Sequence, residues 1–131
     1  MDPIQELKDR LAKHPELQFT ATPTSITVLA PSPDGFSVSF YASPKEYVVH
    51  LDGWHEHFEL ADEALECFAF AFSGSSRLAI TYRGRTPVKW VLEYLDESGW
   101  QAESEVGMIL IPFWLRRRVV YRQNPNVLRA R

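Results

Sequence analysis

Two histidines one residue apart, His55 and His57, lie in the run Asp52-Gly53-Trp54-His55-Glu56-His57-Phe58-Glu59. Alternate side chains of an extended strand point to the same face, so this spacing can bring two imidazoles to one transition metal ion. His50, Asp52, Glu59 and Cys67 are the candidates for a third ligand. Two ligands fall short of a site, and the same run read as a turn between a glycine and a helix lets the rings diverge. The structural alternative has Trp54 and Phe58 anchoring the segment to the core while the histidines meet solvent or form local hydrogen bonds.

Other routes to catalysis are thinner. Cys67 falls mid-helix among Phe68, Ala69 and Phe70, away from the helix start or cationic neighbour that would activate a thiol. The sequence contains no GxSxG elbow, phosphate-binding glycine loop or HExxH, and Gly84-Arg85-Thr86 reads as a hairpin turn. Glu93, Glu103 and Glu105 alternate as acids do on the wet face of a sheet. A metal-dependent or other small-molecule enzyme centred on His55 and His57 is therefore the second reading, and no cofactor is expected.

The third reading comes from charge. Residues 1 to 112 hold all 17 acidic side chains against eight basic ones, a balance of −9, while residues 113 to 131 hold six arginines and no acid, +6. Arg116, Arg117 and Arg118, with Arg122, Arg129 and Arg131, stand close to Trp114 and Tyr121. Clustered arginines neutralise phosphates and neighbouring rings stack on unpaired bases, which is nucleic-acid chemistry. The acidic remainder opposes approach to a polyanion, so nucleic acid is not the expected partner.

Aromatic side chains point to the first reading. Core packing accounts for most of the four tryptophans, five tyrosines and eight phenylalanines. Between Val88 and Leu95, however, Trp90, Leu92 and Tyr94 oppose Val91 and Leu95, whereas a sheet wet on one side needs only one apolar row. Val106 to Leu115 includes Met108, Ile109, Leu110, Ile111, Phe113 and Trp114 and no charge. Such a run is either buried on both faces or left as a patch for another chain to cover. The expected binding surface comprises Trp90, Tyr94, Trp100, Phe113 and Trp114, rimmed by Arg116, Arg117 and Arg118. In a homodimer those arginines would meet Glu103 or Glu105 of the second copy. The first reading is thus a non-enzymatic binding or assembly domain.

The runs DGWHEHF, ALECFAF, RLAITYRG, PVKWVLEYL and IPFW resemble a group of small uncharacterised bacterial proteins. That resemblance implies a bacterial cytoplasmic protein and carries no functional residue with it.

These side chains need elements to position them. At 131 residues and 45% hydrophobic content the chain suits a single domain with a real core. One cysteine allows no internal disulfide, the amphipathic N-terminus lacks an export signal, and the longest apolar run is broken by Gly107 and Pro112. A cytoplasmic protein without membrane insertion is expected.

Ile4, Leu7 and Leu11 recur at helical spacing behind Asp2-Pro3, which predicts a helix over about 3 to 13 that Pro15 ends. Period-two alternation then predicts strands over 25 to 30, 35 to 42 and 46 to 52, a three-stranded meander, with a hairpin turn at Pro31 to Gly35 and a short strand near Leu17 to Thr20. Leu65, Phe68, Ala69 and Phe72 predict a central helix over 61 to 74, capped by Gly74 and buried on more than one side. Strands follow over 77 to 83, 87 to 96, 100 to 104 and 106 to 114, with one more at 119 to 121 and a basic tail over 123 to 131. Short connections favour antiparallel pairing. The predicted class is α+β: one curved, mainly antiparallel sheet of about six to eight strands with both helices on one face.

Overall fold

The computed structural model describes residues 2–108 and 111–128. The fold is α+β and, among these residues, antiparallel throughout. Helix α1 (Pro3–Leu11) starts where Asp2 Oδ1 accepts the Ile4 N–H at 3.0 Å, and it buries Ile4, Leu7 and Leu11 as their spacing predicts. Strands β1 (Phe19–Thr22), β2 (Ser25–Val28), β3 (Val38–Ala42), β4 (Tyr47–Leu51) and β5 (Trp54–Phe58) form a five-stranded meander. Helix α2 (Ala61–Phe70) carries Asp62 and Glu63 in its first turn and buries Ala64, Leu65, Phe68 and Ala69. It packs on the inner face of the meander and also touches α1. Phe68 meets Phe40 of β3 edge-on, with ring centroids 6.4 Å apart. The chain then turns through Gly74, at φ 81°, into β6 (Ser76–Arg83), β7 (Thr86–Asp96), β8 (Gly99–Gly107) and β9 (Arg117–Arg122).

The meander has five strands where three were expected, and two larger features also differ from the expectation. Among the described residues nine strands fall into two sheets rather than one: the second has the order β8-β7-β6-β9, and β6 does not continue the ladder from β5. Helix α2 interrupts the succession of hairpins, so the chain re-enters beyond the edge of β5 and β6 finds its partners in β7 and β9. Nor do the described residues of 106 to 114 form a strand of their own. β8 runs unbroken from Gly99 to Gly107 and absorbs Glu103 as an extra residue where its register with β7 shifts. Of the residues beyond, Ile109 and Leu110 lie outside the described residues, and Ile111 to Arg116 take no strand conformation. Pro112 has no amide hydrogen to give a ladder. The connection 108–116 carries the chain past the β6–β7 turn to β9, which returns beside β6, the 4-1-2-3 order of a Greek key.

The two sheets share one core, in which Leu78, Ile80 and Leu92 of the second join Phe40, Leu51, Trp54 and the helices. Their seam is specific. At the β4–β5 turn the positive φ, 57°, belongs to Asp52. Gly53 is required for another reason: a Cβ there would sit 2.2 Å from Cε2 of Trp90. The Trp90 indole donates to Asp52 Oδ2 at 2.8 Å, and the Trp54 indole donates to Ser104 Oγ at 3.0 Å.

Of the segment expected to be a basic tail, residues 123 to 128 fold inward. Gln123 N–H donates to the Asp34 carbonyl, Asn124 Oδ1 accepts the buried Phe36 N–H at 2.9 Å, Val127 N–H donates to the Phe72 carbonyl, and Leu128 is buried. Arg129 and Arg131 lie outside the described residues. Among the described residues no helix is long and apolar enough to cross a membrane.

Candidate functional site

The β4–β5 hairpin decides where the histidines go. Leu51 pairs with Trp54 across a two-residue turn, and this register sets His50 opposite His55 and Val48 opposite His57. On the inner face Val49, Leu51 and Trp54 are buried. On the outer face His50, His55 and His57 form one row of rings, with the His50 and His55 centroids 5.2 Å apart and nearly parallel at 24°, and those of His55 and His57 5.8 Å apart. Tyr41 of β3 extends the row, edge-on to His50 at 5.3 Å. His57 Nδ1 lies 2.9 Å from Glu46 Oε2. Partial burial, then the nearby His55 and His57, lower the pKa of His50 and favour its neutral ring.

Of the third ligands considered from the sequence, only His50 shares this face with the pair. Asp52 accepts the Trp90 indole at the turn. Glu59 follows β5 and lines an open acidic cleft with Glu56, Glu63 and Glu66, which His57 borders and His55 does not. Cys67 sits on α2, against the opposite side of the sheet, where burial, then Glu56 and Glu103, push its thiol up to about 12. Among the described residues no three His, Cys, Asp or Glu side chains are arranged to hold a metal ion.

A second region of interest is the connection after β8. Phe113 and Trp114 are each 73% exposed, and their rings meet edge to face at 5.5 Å. Met108, Ile111 and Leu115 are exposed beside them. Gly84 N–H donates to the Arg116 carbonyl at 2.8 Å, and Leu115 packs against Gly84, so this tip leans on the β6–β7 turn. Arg83 adds weak contacts to the Phe113 and Leu115 carbonyls at 3.4 Å. Arg116, Arg117 and Arg118 follow at once and are exposed, with the Arg118 guanidinium 4.6 Å from the Tyr82 ring centroid.

The aromatic surface expected from the sequence is therefore divided. Phe113, Trp114 and arginines 116 to 118 come together. Trp90 is half-buried at the seam between the sheets, and Tyr94 faces the inner side opposite Ser76. Trp100 lies on the outer face of the second sheet, where Arg77 covers it: the guanidinium stands 4.3 Å from the Trp100 ring and 4.1 Å from that of Tyr121, while its Nε donates to Glu93 at 2.6 Å. One side chain thus spans all four strands and occupies the face that Val91 and Leu95 had marked as needing cover. Sequence reasoning missed Arg77 because its partners come from three other strands, and no local spacing announces them.

Compared with protein-family models, with curated proteins and with solved structures, the chain finds no match.

Proposed function

We propose that this chain is a binding or assembly domain that docks a second protein surface through the tip at residues 111 to 115, and that the partner is a second copy of the chain. The observation that carries the reading is the exposure of Phe113 and Trp114, adjacent large rings held away from a core that takes in Phe40, Trp54, Phe68 and Phe72. Rings that bury much area drive association when covered, and an apolar patch rimmed by charge is the usual anatomy of an interface. Arg116, Arg117 and Arg118 flank the tip, while Glu103 and Glu105 are exposed along β8. A two-fold arrangement would set these opposite charges against each other around the aromatic centre.

Sedimentation velocity over a concentration series tests this directly. The wild-type chain is expected to sediment as a dimer and the Trp114→Glu variant as a monomer that keeps its folded circular dichroism, because the side chain is outside the core. A wild-type chain that stays monomeric throughout, or a Trp114→Glu chain that dimerises as before, overturns the reading.

A further inference from the structure

We propose that His50, His55 and His57 form a binding site for one divalent late transition metal ion, zinc foremost, on the outer face of the β4–β5 hairpin. The site is independent of the docking tip.

The backbone brings the three ligands together. His55 and His57 occupy alternate positions of one strand, and His50 stands directly across the ladder from His55, so all three side chains leave the same face of the sheet. Two imidazoles on one tetrahedral ion, with metal–nitrogen bonds of about 2.0–2.1 Å, hold their ring centroids about 5 Å apart. The separations here are 5.2 Å from His50 to His55 and 5.8 Å from His55 to His57, so the two outer rings of the row must swing toward each other to share one ion. The rings are stacked rather than converged, so binding requires side-chain torsions to turn. His55 and His57 are exposed, and rotamer changes of exposed side chains are fast.

Glu46 supplies a second, independent sign. Its carboxylate lies 2.9 Å from His57 Nδ1, where it accepts the proton and leaves Nε2 free as a donor to a metal. A carboxylate behind a ligating histidine fixes the tautomer and raises the basicity of the ring. Neutral imidazoles suit zinc, copper and nickel rather than magnesium or calcium. Three histidines leave the fourth position to solvent, the arrangement of an open rather than a closed zinc site.

The competing account is a row of rings that stack for packing alone. Isothermal titration of the chain, free of any histidine tag, with zinc chloride distinguishes the two. The expected result is saturable binding of one ion per chain, weakened at least tenfold by His50→Ala, His55→Ala or His57→Ala alone and about tenfold by Glu46→Gln. Circular dichroism confirms that each variant is folded, and His55→Gln serves as the second probe if an alanine variant is not. Absence of saturable binding up to millimolar zinc overturns the proposal, as does an affinity that His50→Ala leaves unchanged.

Discussion

The two sheets pair their strands in the same way yet place their exposed side chains by different means. In the first, spatial neighbours are also sequence neighbours, and each contact follows from a turn and a register; His50 meets His55 because Leu51 pairs with Trp54. In the second, β9 reaches β6 only through the nine-residue connection 108–116, whose exposed rings are held by Gly84 and a few carbonyl contacts instead of a ladder. A pleated row offers fixed distances, which suits a ligand with strict geometry such as a metal ion. A connection braced at its base offers area at lower precision, which suits an apolar partner.

The largest expected effect asks whether the two sheets are separate units at all. Phe68→Ala beneath the first sheet and Leu78→Ala on the second each remove a fully buried side chain and should cost on the order of 3 to 5 kcal/mol and 2 to 5 kcal/mol respectively. Because both belong to one core, each variant should move one urea transition seen alike by far- and near-ultraviolet circular dichroism. Two separated transitions would show that each sheet unfolds alone.

Gly53→Ala probes the seam between them. The new methyl would run into the Trp90 indole, so tryptophan or turn must yield, at a cost of about 1 to 3 kcal/mol. The Trp90 indole N–H resonance should shift as its bond to Asp52 is disturbed. Wild-type stability in this variant would mean that the sheets are joined less tightly than their contacts imply.

The smallest effect separates the faces of the first sheet. With its pKa raised to about 12, Cys67 should hold little thiolate at pH 8 and react slowly with a disulfide reagent until denaturant exposes it. Zinc titration should leave that rate unchanged, since the thiol and the histidine row lie on opposite sides. Protection of Cys67 by zinc would move the metal to the wrong face.

What the sequence made legible follows the same division. Helices α1 and α2 and the shared face of His55 and His57 rest on contacts within a few residues, and periodicity reports those well. Which of four candidates joined the pair depended on the Asp52-Gly53 turn being two residues long, a register fact that spacing alone left open. Val106 to Leu115 misled because a charge-free apolar run has strand-like composition, yet β8 ends at Gly107, and Met108, Ile111, Phe113, Trp114 and Leu115 lie exposed beyond it. Trp90 read as surface because the glycine that receives its ring is far away in the chain.

The inward fold of residues 122 to 128 also sets an order of events during synthesis. Asn124 secures the Phe36 amide and Arg122 the Pro33 carbonyl, across sequence separations of 88 and 89 residues. The loop between β2 and β3 therefore leaves the ribosome long before its partners exist, and the first sheet must wait with that corner open. Contacts so distant in sequence slow folding and prolong the exposure of unfinished surface. A nascent chain stalled short of residue 124 should be cut by protease near residues 31 to 36, and one extended past residue 128 and clear of the exit tunnel should resist.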